Sequence, residues 1–521
     1  MTTYTGTKSI KFWQNYINPT SGTLTSMVNN TNVGASASTP VAVNLTFSKG
    51  TSSFNAEYLD VGMIELLALD SSQNISGNTS NYVVKPAQFA ITSILNNPAA
   101  SAASGPVFVK AGNPFTVNVS VQNYAGNITP NYGKETSPAG IVLTANLIAP
   151  AGGRNGSLNN GAIGNGTAFT RTAPGLFSGT TFYYDEVGII SLTAGVASGN
   201  YLGAGNVTGP ASGNVGRFIP HHFAANANIP IFNTGCNSGK FTYLNQAFTY
   251  NVAPVISITA EAVLNTTTQN YTGTFWKMIA NNISTTYMSN SPTATLNSSA
   301  AAAAITVNAG TNGLGTIDLG DGGGIVFNKV NNTNIASFNA AISASITIQD
   351  ADGVAYLANP FTIGSTQGNN GIAFLNGNTM LQGRISLSNN FGSELLPLTI
   401  PVTIQYFDGN DYITNTSDNC SSITNSVNLS LNPAPTTLTS TATIGNFVNG
   451  IGSIILSAPQ LTGNTDVTLN LSVTGADLPY LQHNWPQGTN NGTFIDNPVA
   501  RGTFGIYHGN DKIIYTQEVL N

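Results

Sequence analysis

Short runs along the chain alternate strictly between apolar and polar positions. In Phe115-Thr-Val-Asn-Val-Ser-Val-Gln122, the residues Phe115, Val117, Val119 and Val121 share one face, and Thr116, Asn118, Ser120 and Gln122 share the other. A period of two is the mark of a strand with one wet face. Val467-Thr-Leu-Asn-Leu-Ser-Val473 and Leu398-Thr-Ile-Pro-Val-Thr-Ile-Gln-Tyr406 repeat the pattern. Pro401 falls on the outward face of the last run and donates no ladder hydrogen bond, which predicts an edge strand. Turn-forming residues separate such runs. Phe407-Asp-Gly-Asn-Asp411 and His508-Gly-Asn-Asp511 both suit tight hairpins. Asn, Thr, Ser and Gly dominate, and they are poor helix formers. The pattern predicts an all-β chain.

The runs are organised in repeats. Tyr58-Leu-Asp-Val-Gly-Met-Ile-Glu-Leu-Leu-Ala68 aligns without gaps on Tyr184-Asp-Glu-Val-Gly-Ile-Ile-Ser-Leu-Thr-Ala194. Each reads as a corner feeding a strand. Gly62 and Gly188 supply a permissive backbone at the bend, and Ile64, Leu66 and Ala68, like Ile190, Leu192 and Ala194, point inward. Such a corner belongs late in an immunoglobulin-like sandwich. After each corner comes a proline passage, Val84-Lys-Pro-Ala-Gln-Phe89 and Phe218-Ile-Pro-His-His-Phe223. Proline there stops the ladder and stiffens the step to the next module. A third echo joins Thr129-Pro-Asn-Tyr132 to Thr268-Gln-Asn-Tyr271. The expected order is an immunoglobulin-like β-sandwich over 1–88, a second over 89–219, and a larger β-rich C-terminal sandwich region over 220–521, divisible near 430.

Composition narrows the function. The 521 residues include 15 Lys and Arg against 21 Asp and Glu, a net charge of −6. So few cations make no footprint for nucleic-acid phosphates. No apolar run reaches the ~18 residues of a spanning helix. The sparsely charged, Asn- and Thr-rich chain reads as extracytoplasmic, in the periplasm or on the outer surface. Met1-Thr-Thr-Tyr4 lacks a charged and then apolar leader, so the sequence reads as a mature chain or an excerpt. Cys236 and Cys420 are the two cysteines. In an oxidising compartment they would form one structural disulfide, binding at least that span into one unit; two separate buried thiols are the alternative.

Little chemistry presents itself. There is no Gly-x-Ser-x-Gly elbow, Walker A loop or His-Glu-x-x-His. His221-His222 reads as a linker pair, since neighbours in an extended chain point to opposite faces. Asp350-Ala-Asp-Gly353 resembles the start of a calcium loop, which makes Asp350 and Asp352 the metal candidates, but no third ligand or distal Glu follows and a hairpin turn is the better reading. No other cofactor is expected. Arg384 and Glu394 are isolated charges in an apolar stretch, suited to an ion pair fixing strand register. Exposed aromatics among Trp13, Trp276, Trp485 and the many Phe and Tyr would stack on sugars, though core is their default place.

Several longer phrases carry a resemblance. They include Lys11-Phe-Trp-Gln-Asn-Tyr-Ile-Asn-Pro19, Gly216-Arg-Phe-Ile-Pro-His-His-Phe223, Thr268-Gln-Asn-Tyr-Thr-Gly-Thr-Phe275, Gly383-Arg-Ile-Ser-Leu-Ser-Asn-Asn-Phe-Gly-Ser-Glu-Leu-Leu-Pro-Leu398 and Phe504-Gly-Ile-Tyr-His-Gly-Asn-Asp-Lys-Ile-Ile-Tyr515. Together they resemble the C-terminal region of the MshQ family, encoded with the MSHA type IV pilus of Gram-negative bacteria. The resemblance implies pilus biogenesis or cell adhesion without catalysis, with pilus subunits or other surface proteins as partners. Its two cysteines match Cys236 and Cys420. The chain departs from the family at His221, where an acidic residue is usual, and at Thr516, where an aromatic is. The alternative expectation is a carbohydrate-binding adhesin module acting directly on glycans.

Overall fold

The computed structural model describes residues 3–159, 168–291, 293–301, 305–321, 324–368, 370–423, 429–434, 438–472, 478–486, 488 and 492–505. The chain is all-β, with only short 3₁₀ turns such as Gly273–Phe275 among the described residues. The turn at His508–Asp511 and the position Thr516 lie outside the described residues.

Among the described residues, four hydrophobic cores follow one another along the chain. The first lies against a five-stranded sheet. β1 (Gly6–Asn18) is flanked by β2 (Val41–Phe47) and β3 (Gly62–Asp70), and β3 carries both β4 (Ile75–Asn78) and β5 (Tyr82–Val84). Alternation in β1 buries Ile10 and Phe12 while Lys11 and Trp13 stay partly exposed.

The second core lies between two sheets. One pairs β6 (Gln88–Ile94) and β7 (Phe115–Gln122) with β9 (Leu176–Tyr184); the other runs β8 (Ile141–Ala149), β10 (Gly188–Val196), β11 (Val215–Phe218). As the alternation predicts, Val117, Val119 and Val121 of β7 are buried.

The third core has β12 (His222–Ala227) and β13 (Val255–Glu261) in one sheet, and β14 (Ser284–Ser289), β15 (Ile342–Thr347) and β16 (Phe361–Ile363) in another. In the fourth, β19 (Leu398–Phe407) lies between β17 (Gly383–Leu387) and β20 (Ile451–Leu456), facing a sheet in which β18 (Asn390–Gly392), β22 (Val499–Phe504) and β21 (Gly463–Leu469) are neighbours.

Three sequence expectations are corrected here. The C-terminal region does not divide near 430: Leu381 to Phe504 belong to one core, so the division falls at about 380. The span from 236 to 420 is not one unit either, because Cys236, Phe241 and Tyr243 leave the third stretch to pack in the fourth core. β19 is a central strand, not an edge. Pro401 is tolerated because β17 has already ended at Leu387. In a strand, N–H and C=O of one residue point the same way. The Pro401 carbonyl accepts from Ser388 N at 3.1 Å, so its proton-less nitrogen faces the side where the ladder has stopped.

Candidate functional site: joints between cores and an aromatic cleft

The repeated corners build the joints between cores. Gly62 (φ +132°) and Gly188 (φ +143°) sit opposite a register shift in the partner strand, near Asn18 and Ala149. A Cβ on Gly62 would lie 2.7 Å from Asn18 O, and one on Gly188 2.4 Å from Ala149 O, so only glycine fits. The valine before each glycine plugs the next core: Val61 is buried in the second, Val187 in the third.

The acid before each valine caps a loop of the following unit. Asp60 Oδ1 accepts from Val61 N and from Asn131 N, both at 2.9 Å. Glu186 Oε1 accepts from Val187 N at 2.8 Å and Asn270 N at 3.1 Å. The asparagines answer in kind. Asn131 Nδ2 donates to the Tyr58 hydroxyl at 3.0 Å, and Asn270 Nδ2 to Val187 O at 2.9 Å. Their Oδ1 atoms accept from Thr23 N at 3.2 Å and Arg154 N at 2.8 Å. Tyr184 is buried, its hydroxyl accepting from Gly156 N at 2.8 Å. The corner and Thr-x-Asn-Tyr echoes are thus two copies of one interlocking device.

The copies also differ at the second carboxylate oxygen. Gln269 N donates to the second oxygen of Glu186 at 2.9 Å. Proline stands there in the first joint, as Pro130, and has no N–H. Asp60 Oδ2 is accordingly buried without a partner among the described residues. Burial pushes the Asp60 pKa up to about 6 against the pull of the two backbone N–H groups, while Lys134 lowers it and Glu135 raises it by less. Burial likewise raises Glu186.

Further polar ties hold the later joints. Arg217 pairs bidentately with Asp352 at 2.6 and 2.7 Å, and Arg217 Nε donates to Gly105 O at 3.0 Å. Asp350 accepts from the Tyr271 hydroxyl at 2.7 Å and from Asp352 N and Val354 N at 2.9 Å. The two metal candidates therefore serve separate protein partners around a turn, and among the described residues no three His, Cys, Asp or Glu side chains gather as a metal would need. His222 is no linker residue. It is buried, lies 3.1 Å from Glu261, and meets His221 through their Nδ1 atoms at 3.0 Å.

Between the third and fourth cores, Cys236 and Cys420 are joined. Beside them the Tyr243 hydroxyl donates to Asp418 Oδ2 and accepts from Asn415 Nδ2, each at 2.8 Å. Lys329 Nζ donates to the carbonyls of Gly383, Tyr480 and Gln482 at 2.9, 2.6 and 2.8 Å. Burial lowers its pKa to about 7; three carbonyls matched to three N–H donors are what satisfy the ammonium there.

Arg384 does not pair with Glu394. Glu394 lies in the loop after β18, while Arg384 is drawn to neutral groups. Its Nε donates to Gln405 Oε1 at 2.8 Å, and one terminal nitrogen lies 3.2 Å from His483 Nε2. The guanidinium sits 3.8 Å from the centroid of Tyr412 and 5.0 Å from that of Trp485. Burial, then Arg384 and Lys329, push the His483 pKa down to about 3, so the ring is neutral. Beside this cluster opens a cleft of about 290 Å³, lined by residues 387, 389, 485, 486, 488 and 497–499, with Trp485 among them.

Four domains of one family match in succession: DUF6701 first Ig-like domain over 1–84, second domain over 85–174, third over 186–371 and fourth over 381–519. The chain belongs to the DUF6701 multi-domain family. Its description is that of a domain of unknown function. No curated protein matches the chain. Among solved structures, the Escherichia coli adhesin FdeC is 11% identical over 76% of this chain and 95% of its own, with a TM-score of 0.26. Invasin, a bacterial integrin-binding protein, is 11% identical over 89% of this chain and 69% of its own, with a TM-score of 0.28. At TM-scores this low the likenesses carry no argument about this chain.

The second and third DUF6701 domains meet beside the Glu186 corner, although the second core runs on to Phe218. In this DUF6701 chain the corner and the Thr-x-Asn-Tyr phrase occur together at both joints, and that co-occurrence is the sequence signal of the device. Arg217, Lys329 and the Trp485 cleft gave none.

Asp60 makes the first joint sensitive to pH. Its folded pKa of about 6 lies above the ~3.9 of an unfolded Asp. The folded state therefore binds more protons between these values, and the group's stabilising contribution, full below about pH 4, is lost as pH rises through 6. Calorimetry across pH 4–7.5 should show wild type losing stability relative to Asp60→Asn over that window. A flat difference would contradict this account.

Proposed function

We propose that this chain is a non-enzymatic, extracytoplasmic surface protein, a stalk of β-sandwiches that holds an interaction surface away from the cell. The observation that carries this is the joint built twice, in which a corner valine and a buried carboxylate of one unit lock into the next. An enzyme needs one well-made cleft; a spacer needs its units fixed in series. The Cys236–Cys420 bridge supports an oxidising compartment, and the scarcity of charge argues against nucleic-acid partners. The phrases resembling MshQ proteins support association with an MSHA-type pilus, with pilus subunits or other surface proteins as partners. Immunogold microscopy on intact piliated cells, using antibody to residues 220–521, tests this. Gold on the fibre or at its tip is the expected result. Label found only in sections, within the periplasm, would refute surface display.

A further inference from the structure

We infer that the cleft beside Trp485 is a binding site for a neutral sugar ring. This goes beyond the stalk reading and does not depend on it, since purified protein tests it wherever the chain is displayed.

Trp485 is held before any ligand arrives. Its backbone N donates to Asp496 Oδ2 at 3.2 Å, and its carbonyl accepts from Gly488 N at 2.8 Å. Its ring meets His483 edge-on, centroids 5.0 Å apart at 77°. Arg384, itself fixed by Gln405 and Tyr412, supports it from another side. A side chain ordered in advance loses little freedom on binding.

The lining selects the ligand class. None of the eight lining residues is charged. The nearby Arg384 is committed to its rings and amide, and His483 is neutral. A phosphate or carboxylate would leave water for a site without a counter-charge, at heavy desolvation cost. A neutral polyol would not. The exposed lining is more polar than apolar, and its apolar part, from Trp485, Pro486, Leu387 and Val499, is what the C–H face of a pyranose would cover. Polar groups stand beside them. Asn389 is exposed, and its Oδ1 accepts from Arg501 N at 2.8 Å, which orients the amide and leaves its N–H₂ free of any partner among the described residues. A volume of about 290 Å³ lies at the lower end of small-molecule sites, suiting one ring rather than a long chain.

The test is labelled full-length chain on an array of neutral and sialylated glycans, followed by calorimetric titration with the monosaccharide that terminates the best binder. Single-ring affinity should be of the order of millimolar, since so small a ligand makes few contacts. Trp485→Ala should weaken array binding by about tenfold or more, and Trp485→Phe should retain part of it. Because Trp485→Ala also removes packing, Val499→Phe is the second variant. It fills the cleft from an exposed strand position, and should abolish binding with the melting temperature unchanged. No binding to neutral glycans, binding to sialylated glycans alone, or full binding by folded Val499→Phe would each overturn the proposal.

Discussion

Replacing Cys236 and Cys420 together by serine is expected to destabilise the fourth core selectively. The bridge closes a loop of 184 residues. By the loop-closure argument, a cross-link of that span removes unfolded-chain entropy worth at most on the order of 5 kcal/mol, and less while the third core stays folded within the loop. The effect concentrates where the bridge acts. Cys236 is buried in the fourth core together with Phe241 and Tyr243, although the chain around them belongs to the third. Without the bridge, this segment is held by its own packing and by the hydrogen bonds of Tyr243 to Asp418 and Asn415. Urea titration of wild type, reduced wild type and the double serine variant measures it. The latter two should lose the C-terminal transition early and keep the N-terminal one. Shifts under about 1 kcal/mol would show that packing alone holds the segment.

The second large effect concerns the joint between the second and third cores. Arg217→Met should cost about 3–5 kcal/mol, because it strands a mostly buried carboxylate. The side chains of Arg217 and Asp352 are only 4% and 13% exposed, and both guanidinium contacts are short. Arg217→Met with Asp352→Asn should recover most of the loss, since no uncompensated charge remains. Arg217→Lys should not, because an ammonium cannot reproduce the two-pronged contact and the bond to Gly105 O together. Differential scanning calorimetry reads all three. If the double variant melts no higher than Arg217→Met, stranded charge is not the source of the loss.

Strand identity was legible in this chain because it is local. The alternation in Phe115–Gln122 states which side chains face inward wherever the strand packs, and Val117, Val119 and Val121 are buried as it requires. The need for glycine at 62 and 188 was legible for a similar reason: a bend is a property of a few residues, and the repeat marked it twice. The cysteine pairing was readable because the sequence offers one pair only.

What lies beside each strand was not readable. Pro401 looked like an edge residue, since nothing in the run tells where a neighbouring strand stops. Arg384 looked like half of an ion pair with Glu394, but in a chain with so few carboxylates the amides and rings outnumber them, and packing brought it to Gln405, Tyr412 and Trp485. Asp60 meets Asn131 across 71 residues, and Lys329 meets Gln482 across 153. The sequence by itself determined the all-β class and the corners, because period and turn chemistry act within a few residues. The tertiary structure alone decided the joints, the buried charges and the Trp485 cleft, because each is made by side chains that only the packing of separate strands brings together.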